Sequence, residues 1–193
     1  MSIDSALAQR IALVVFDVDG TLTDNGVYIG APASADVPDS RIELKRFDIQ
    51  DGLGIVMLRR AGITVAWISA RHSEATTMRA RELGVEHLMQ GRGLKKVPVL
   101  LALCEKLGIS ADRAAFMGDD LADIAVMQRV ALSAAPSNAV AEVKAVAMVQ
   151  LAKEGGRGAA REFVEALLRA RGTWDTTVAE YVAESAVAED ARE

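Results

Sequence analysis

Cysteine is nearly absent from this chain of 193 residues: there is one, Cys104, which excludes an internal disulfide and any cysteine cluster for zinc. The reducing cytoplasm is the compartment that this usage implies. Aromatic residues make up 4 % of the sequence, so Ala, Val and Leu must supply most of the core's bulk. Positive charge is in deficit, with 22 Lys and Arg against 27 Asp and Glu, and the formal charge of -5 argues against nucleic acid as a partner. A small anion remains compatible if the cations gather locally. Long apolar runs are also missing. Met1 to Arg10 lacks a basic segment followed by an apolar stretch, and Ile11 to Phe16 is too short to span a bilayer, so neither export nor membrane anchoring is expected.

What is present suits one domain with a sizeable core. Short apolar runs rich in β-branched residues alternate with segments of helical period, the pattern of a Rossmann-like three-layer α/β sandwich with a mostly parallel sheet. Strands are predicted at Ile11 to Asp17, Thr64 to Ile68, His87 to Gln90, Ala114 to Met117, Val130 to Leu132 and Ala147 to Val149. Asp51 and Ser73 suit N-caps of helices running to about Arg60 and Leu83, while Gly62, Gly84 and Gly108 lie where helices would end. Val27 to Ile29 and Arg41 to Phe47, joined by a loop containing Pro32 and Pro38, predict a projecting β-hairpin. The domain is expected to cover residues 1–172, with 173–193 an acidic, flexible tail.

Two acidic clusters carry the chemistry. Asp17-Val18-Asp19-Gly20-Thr21 follows a buried strand directly, so both carboxylates sit at a strand's carboxyl end, where open α/β sheets bind ligands. Alternate side chains of an extended chain share a face, so Asp17 and Asp19 can address one site, and Gly20 lets the backbone bend away. Two close carboxylates repel each other, which a divalent cation relieves. The plainer alternative is a polar strand end with an Asp-Gly turn. Gly118-Asp119-Asp120 with Asp123 marks the end of a later strand and the start of a helix. One or two of these carboxylates would complete a hard oxygen site for Mg²⁺; complementing the helix dipole is the alternative, and for Asp120 that role alone would suffice. Between the clusters, Ser69 ends a strand and Lys96 lies near a helix start, a hydroxyl and an ammonium suited to a bound phosphate. Taken singly, each is more often a cap or a solvated charge.

These four elements, in this order, resemble the four motifs of the haloacid dehalogenase superfamily, and in particular its small cap-less branch acting on phosphorylated keto-deoxy sugar acids. The likeness covers roughly Ile11 to Gly172. It rests on Phe16 to Asp24, Phe47 with Asp51-Gly52-Leu53-Gly54, Gln90-Gly91, Met117 to Asp123, and Gly155-Gly156-Arg157-Gly158-Ala159. The resemblance implies a Mg²⁺-dependent phosphatase with Asp17 as nucleophile, Asp19 as acid and base, Ser69 and Lys96 as phosphate holders, and Asp119 as a further metal ligand. Asp19 would join the metal through its backbone carbonyl. Lys95 is the weaker alternative to Lys96, and Asp120 and Asp123 stand behind the ligands.

The spacing leaves no room for a folded lid, which needs some 50 residues beyond the core. The resemblance supplies an answer: projecting hairpins assemble a homotetramer whose neighbouring subunits close the site, with Gly155 to Gly158 as the reaching segment. On that reading Gly156 permits close approach, Arg157 forks onto a carboxylate or phosphate, and Arg71 touches the substrate. The branch departs here in three places: Ser69-Ala70-Arg71 replaces Thr-Gly-Arg, Gln50 stands where an Arg commonly precedes Asp-Gly, and the 31–40 loop is longer. The substrate could then be a nine-carbon relative or another sugar phosphate. A signalling receiver domain is disfavoured because its phosphoacceptor lies on a later strand, and a non-catalytic tetrameric module because every expected catalytic residue type is retained. His72 and His87 share no helical spacing and receive no role.

Overall fold

The computed structural model describes residues 3–30 and 42–190. Helix α1 (Ser5–Arg10) leads into β1 (Leu13–Phe16), followed by the hairpin strands β2 (Tyr28–Gly30) and β3 (Ile42–Leu44). Next come α2 (Ile49–Arg60), β4 (Thr64–Ser69), α3 (Glu74–Glu82), β5 (His87–Gln90), α4 (Lys96–Leu107) and β6 (Ala114–Met117). The chain ends through α5 (Leu121–Met127), β7 (Leu132–Ala135), α6 (Ala141–Val146), β8 (Val149–Gln150), α7 (Ala159–Arg171) and α8 (Trp174–Asp190).

Six strands form one parallel sheet in the order β5-β4-β1-β6-β7-β8, and β2 pairs with β3 in a separate antiparallel hairpin. The strand period of two divides the core. Val14 and Phe16 of β1 face one side with Trp67 and Phe163, while Leu13 and Val15 face the other with Ile68, Leu100 and Phe116. Both faces of β1 are buried, which is why its residues read as an unbroken apolar run. Among the described residues no cap domain separates the elements; the hairpin is the insertion after β1. The long loop at 31–40 lies outside the described residues.

Several boundaries differ from expectation. Helix α2 starts at Ile49 because Asp48, not Asp51, is its N-cap, accepting from the backbone N–H groups of Gln50 and Asp51. Strand β7 runs to Ala135 and β8 starts at Val149, since pairing with the preceding strand, rather than β-branched content, sets their limits. Ser73 caps α3 through the Thr76 N–H, and Gly108 ends α4 at a φ of 64°. The segment after Thr173, expected as a flexible tail, is helical over Trp174–Asp190. Its first turn docks because the Trp174 ring lies 5.1 Å from the Arg161 guanidinium and 5.3 Å from that of Arg169. Among the described residues, no helix is long and apolar enough to cross a membrane.

Candidate active site

The carboxyl ends of β1, β4 and β6 carry Asp17, Ser69 and the Gly118–Asp123 turn to one edge of the sheet. A cleft of about 140 Å³ lies there, lined by Asp17, Asp19, Ser69, Arg71, Lys96 and Asp123, with Asp120 at its border. Lys96, in the first turn of α4, is buried, and its Nζ lies 2.5 Å from Asp17 Oδ1 and 2.5 Å from Asp123 Oδ1. Lys95 is exposed one residue earlier.

Asp123 does two jobs. Its Oδ2 accepts from the N–H groups of Asp119 and Asp120, closing a capping box at the start of α5, while Oδ1 meets Lys96. Asp120 caps the helix through the Leu121 N–H at 2.7 Å. Asp119 is oriented by Thr21, whose hydroxyl donates to its Oδ1 at 2.9 Å. The approach of these loops depends on glycine: Gly20 has a φ of +86°, and a Cβ there would lie 2.1 Å from Asp119 Oδ2.

Asp17, Asp119 and Asp123 each place a carboxylate oxygen within 4.8 Å of the other two. Three carboxylates meet a single ammonium, so negative charge is in excess. Burial raises the Asp17 pKa well above the usual carboxylate range, Asp123 adds to the shift, and Lys96 opposes it. Burial likewise pushes Asp119 up to about 7, against the Thr21 hydrogen bond and with Asp123 reinforcing it. For Lys96, burial alone would lower the pKa, but the charges of Asp17 and Asp123 outweigh it and the net shift is upward. A divalent hard cation fits this donor set, since it matches both the oxygen ligands and the uncompensated charge.

Asp19 stands outside that carboxylate group; its expected share in the metal site rested on its main-chain carbonyl. Its side chain turns to Lys45 Nζ at 2.6 Å, Ser69 Oγ at 3.5 Å and Arg71 Nη1 at 3.6 Å. Ser69 is fixed by Arg71, donating to its carbonyl at 3.0 Å and accepting from its N–H at 3.2 Å.

The segment Gly155 to Gly158 packs, within its own subunit, against the loop after Asp17. The Gly155 N–H donates to Asn138 Oδ1 at 2.6 Å, Asn138 Nδ2 donates to the Gly20 carbonyl at 2.8 Å, and the Gly156 N–H bonds the Thr21 carbonyl. A Cβ on Gly155 would fall 1.9 Å from the Gly20 carbonyl oxygen. Gly156 therefore buttresses the loop after Asp17 from beneath, and its carbonyl accepts from Arg46. Arg157 is half-exposed, pairs with Glu154 at 3.4 Å and does not line the cleft. Within one subunit Gly156 lies behind the loop after Asp17 and Arg157 lies off the cleft, whereas the sequence reading expects both at the substrate of a neighbouring subunit. It also misses Lys45, Thr21 and Asn138. Lys45 has a local signal, since strand alternation sets it opposite to the outward-facing Leu44, whereas nothing local marks Asn138.

Residues 68–162 match the haloacid dehalogenase-like hydrolase family. The 3-deoxy-D-manno-octulosonate 8-phosphate phosphatase of Escherichia coli K12 is 38 % identical over 170 residues, spanning 88 % of this chain and 86 % of that one. The corresponding Moraxella catarrhalis enzyme, solved with magnesium ion, phosphate ion and a KDO molecule, is 34 % identical and superposes with a TM-score of 0.83 over 92 % of this chain and 97 % of that one. A cobalt-bound relative from Haemophilus influenzae is 33 % identical, with a TM-score of 0.77 over 86 % of this chain and 92 % of its own. By its identity to these proteins over most of their length and its superposition on their folds, the chain belongs to the haloacid dehalogenase-like hydrolases, in the branch of its 3-deoxy-D-manno-octulosonate 8-phosphate phosphatase relatives.

Proposed function

We propose that the protein is a Mg²⁺-dependent phosphatase that hydrolyses 3-deoxy-D-manno-octulosonate 8-phosphate to the free sugar acid and phosphate. The observation that carries this reading is the convergence of the buried side chains of Asp17, Lys96 and Asp123 on one cleft of phosphate size, with Asp119 in the same carboxylate group. Lys96 engages Oδ1 of Asp17, so Oδ2 attacks phosphorus. The new Oδ2–P bond forms as the bond from phosphorus to the sugar oxygen breaks, and that oxygen takes a proton from Asp19. In the second half-reaction Asp19 removes a proton from water as the water oxygen attacks phosphorus, and phosphate leaves Asp17. Ser69 and Lys96 hold phosphate oxygens throughout. Asp17, Asp119 and the main-chain carbonyl of Asp19 would hold Mg²⁺, which would supply the positive charge that lets a phosphate dianion approach ionised Asp17.

We further infer a cytoplasmic homotetramer built through the hairpin. Tyr28, Ile42 and Leu44 share one face of it and are 56 %, 51 % and 62 % exposed, an apolar surface that a second copy would cover. The lone buried thiol of Cys104 suits a reducing compartment.

The test is phosphate release from a panel of eight- and nine-carbon keto-deoxy acid phosphates and neutral sugar phosphates, with Mg²⁺ and with chelator. Wild type is expected to turn over the eight-carbon acid fastest and only with metal, and Asp17→Asn to release none. Metal-independent release, or none from any member, would overturn the reading.

A further inference from the structure

Four charged side chains form a closed ring between the site and the hairpin. Lys45 Nζ lies 2.6 Å from Asp19 Oδ1 and 3.7 Å from Glu43 Oε1; Glu43 Oε2 lies 3.3 Å from Arg71 Nη2, and Arg71 Nη1 lies 3.6 Å from Asp19 Oδ1. The signs alternate around the circuit. The Lys45 side chain is 0 % exposed, the most enclosed of the four. Yet the ring is poorly satisfied: Glu43 Oε1 and Arg71 Nη1 are buried with no hydrogen-bond partner among the described residues. Charges held at 3.6–3.7 Å without hydrogen bonds are in a state that a better-fitting partner can replace.

The ring also divides two spaces. Asp19 and Arg71 line the 140 Å³ cleft that holds Asp17. Glu43 and Lys45 line a groove of about 830 Å³ between β3 and α3, bordered by His72, Ser73, Met78 and Arg79. The smaller space suits a phosphoryl group and the larger one the remainder of a sugar. A substrate with phosphate at one end and a carboxylate at the other must cross the ring, and of the Lys and Arg side chains on the groove side Arg79 is engaged by Glu82 and the Asp48 carbonyl, whereas Lys45 belongs to the ring itself. Gln50, exposed in the first turn of α2, offers no charge there.

We propose that Lys45 is a specificity-determining residue that binds the substrate's carboxylate, and that Asp19 occupies the Lys45 ammonium only while substrate is absent. The substrate's acid group displaces Asp19 from Lys45, and the freed Asp19 side chain turns to the sugar oxygen that leaves phosphorus. Glu43 and Arg71 keep the ring together on either side, and of their unpartnered atoms Glu43 Oε1 accepts from a sugar hydroxyl while Arg71 Nη1 donates to one. A phosphate ester without a carboxylate leaves Asp19 paired with Lys45 and is turned over poorly. This inference rests on the phosphatase reading above and adds to it the group that recognises the acid.

The experiment compares kcat/KM for the keto-deoxy acid phosphate with that for its carboxylate methyl ester, in wild type, Lys45→Met and Lys45→Arg with Mg²⁺ present. In wild type the acid should be preferred by at least about 30-fold, the scale on which loss of a buried charge-assisted contact is felt. Lys45→Met should erase most of that preference through loss of acid turnover, and Lys45→Arg should restore a part of it. Equal turnover of acid and ester by wild type overturns the proposal without any variant, so a Lys45→Met chain that fails to fold does not protect it. An undiminished preference in folded Lys45→Met overturns it as well. Absence of phosphate release from every substrate by wild type would instead sink the phosphatase reading itself.

Discussion

Asp51, in the first turn of α2, caps a helix that begins more than a hundred residues later: its Oδ1 accepts from the Arg161 N–H of α7 at 2.8 Å, and Oδ2 from the Gly158 N–H at 3.1 Å. The carboxylate is 2 % exposed, and burial raises its pKa against the pull of those two hydrogen bonds. Removing it strands two backbone donors in a buried place. Asp51→Ala should destabilise the fold by about 2–3 kcal/mol in urea unfolding, and Asp51→Asn by about 1 kcal/mol, because the amide keeps one acceptor. Equal stability of the alanine variant and wild type would show that the contact is not a cap.

Gly20 is the second exact fit between distant loops. Any side chain there would occupy the space of the Asp119 carboxylate and would have to hold a φ of +86°. Gly20→Ala is expected to weaken Mg²⁺ binding by about tenfold or more and to lower kcat with it, since metal ligands misplaced by an ångström lose most of their effect. Calorimetric titration of Mg²⁺ into the folded variant checks this. Unaltered metal affinity would mean that Asp119 is not a ligand.

Metal binding should depend on pH through Asp119. Its pKa is raised to about 7 in the folded, metal-free protein, above the unfolded carboxylate value of about 3.9. Between these values the folded state binds more protons than the unfolded chain, so metal-free stability falls as pH rises through the window. Mg²⁺ displaces the Asp119 proton, and its affinity should therefore rise with pH by up to about tenfold per unit until about pH 7, then level off. The Mg²⁺-induced shift in Tm, followed from about pH 5.5 to about pH 8, reads this directly. A shift independent of pH would contradict the placement of a protonated Asp119 in the metal-free site.

The sheet and the acidic loops are legible in the sequence because their signals are local. A strand buried on both faces shows as Leu13-Val14-Val15-Phe16, and the chemistry follows it within one turn. Lys96 is legible only as one of two adjacent lysines, and burial separates it from Lys95. The rest depends on contacts between distant segments. Asp51 reads as a cap for its own helix, but Asp48 fills that role and leaves Asp51 for α7. Gly156 reads as permitting close approach to a neighbouring subunit's substrate, and nothing local reveals the approach it makes within its own subunit, to Gly20 and Thr21. The acidic, Ala-rich end reads as loose, and nothing in its faint periodicity reveals that Trp174 lodges between two arginines of the preceding helix.

The hairpin joins assembly to chemistry through the two-residue period of β3. Ile42 and Leu44 present apolar side chains outward, while Glu43 and Lys45 turn toward Asp19 and Arg71. A subunit packed on the outer face would hold the inner face still, so dissociation should loosen the contact between Lys45 and Asp19. Tyr28→Lys places a charge on that outer face, opposite Leu44, at a residue that lines neither the groove nor the ring. It should elute as a species smaller than the tetramer expected for wild type, with multi-angle light scattering giving the mass of each. Its kcat/KM for the keto-deoxy acid phosphate should fall by about tenfold or more, as for other cases where a misplaced group costs positioning. A wild type that is monomeric at micromolar concentration would refute the hairpin interface. A dissociated Tyr28→Lys with full activity would show instead that each subunit orders its own Lys45 and that the hairpin works without a partner.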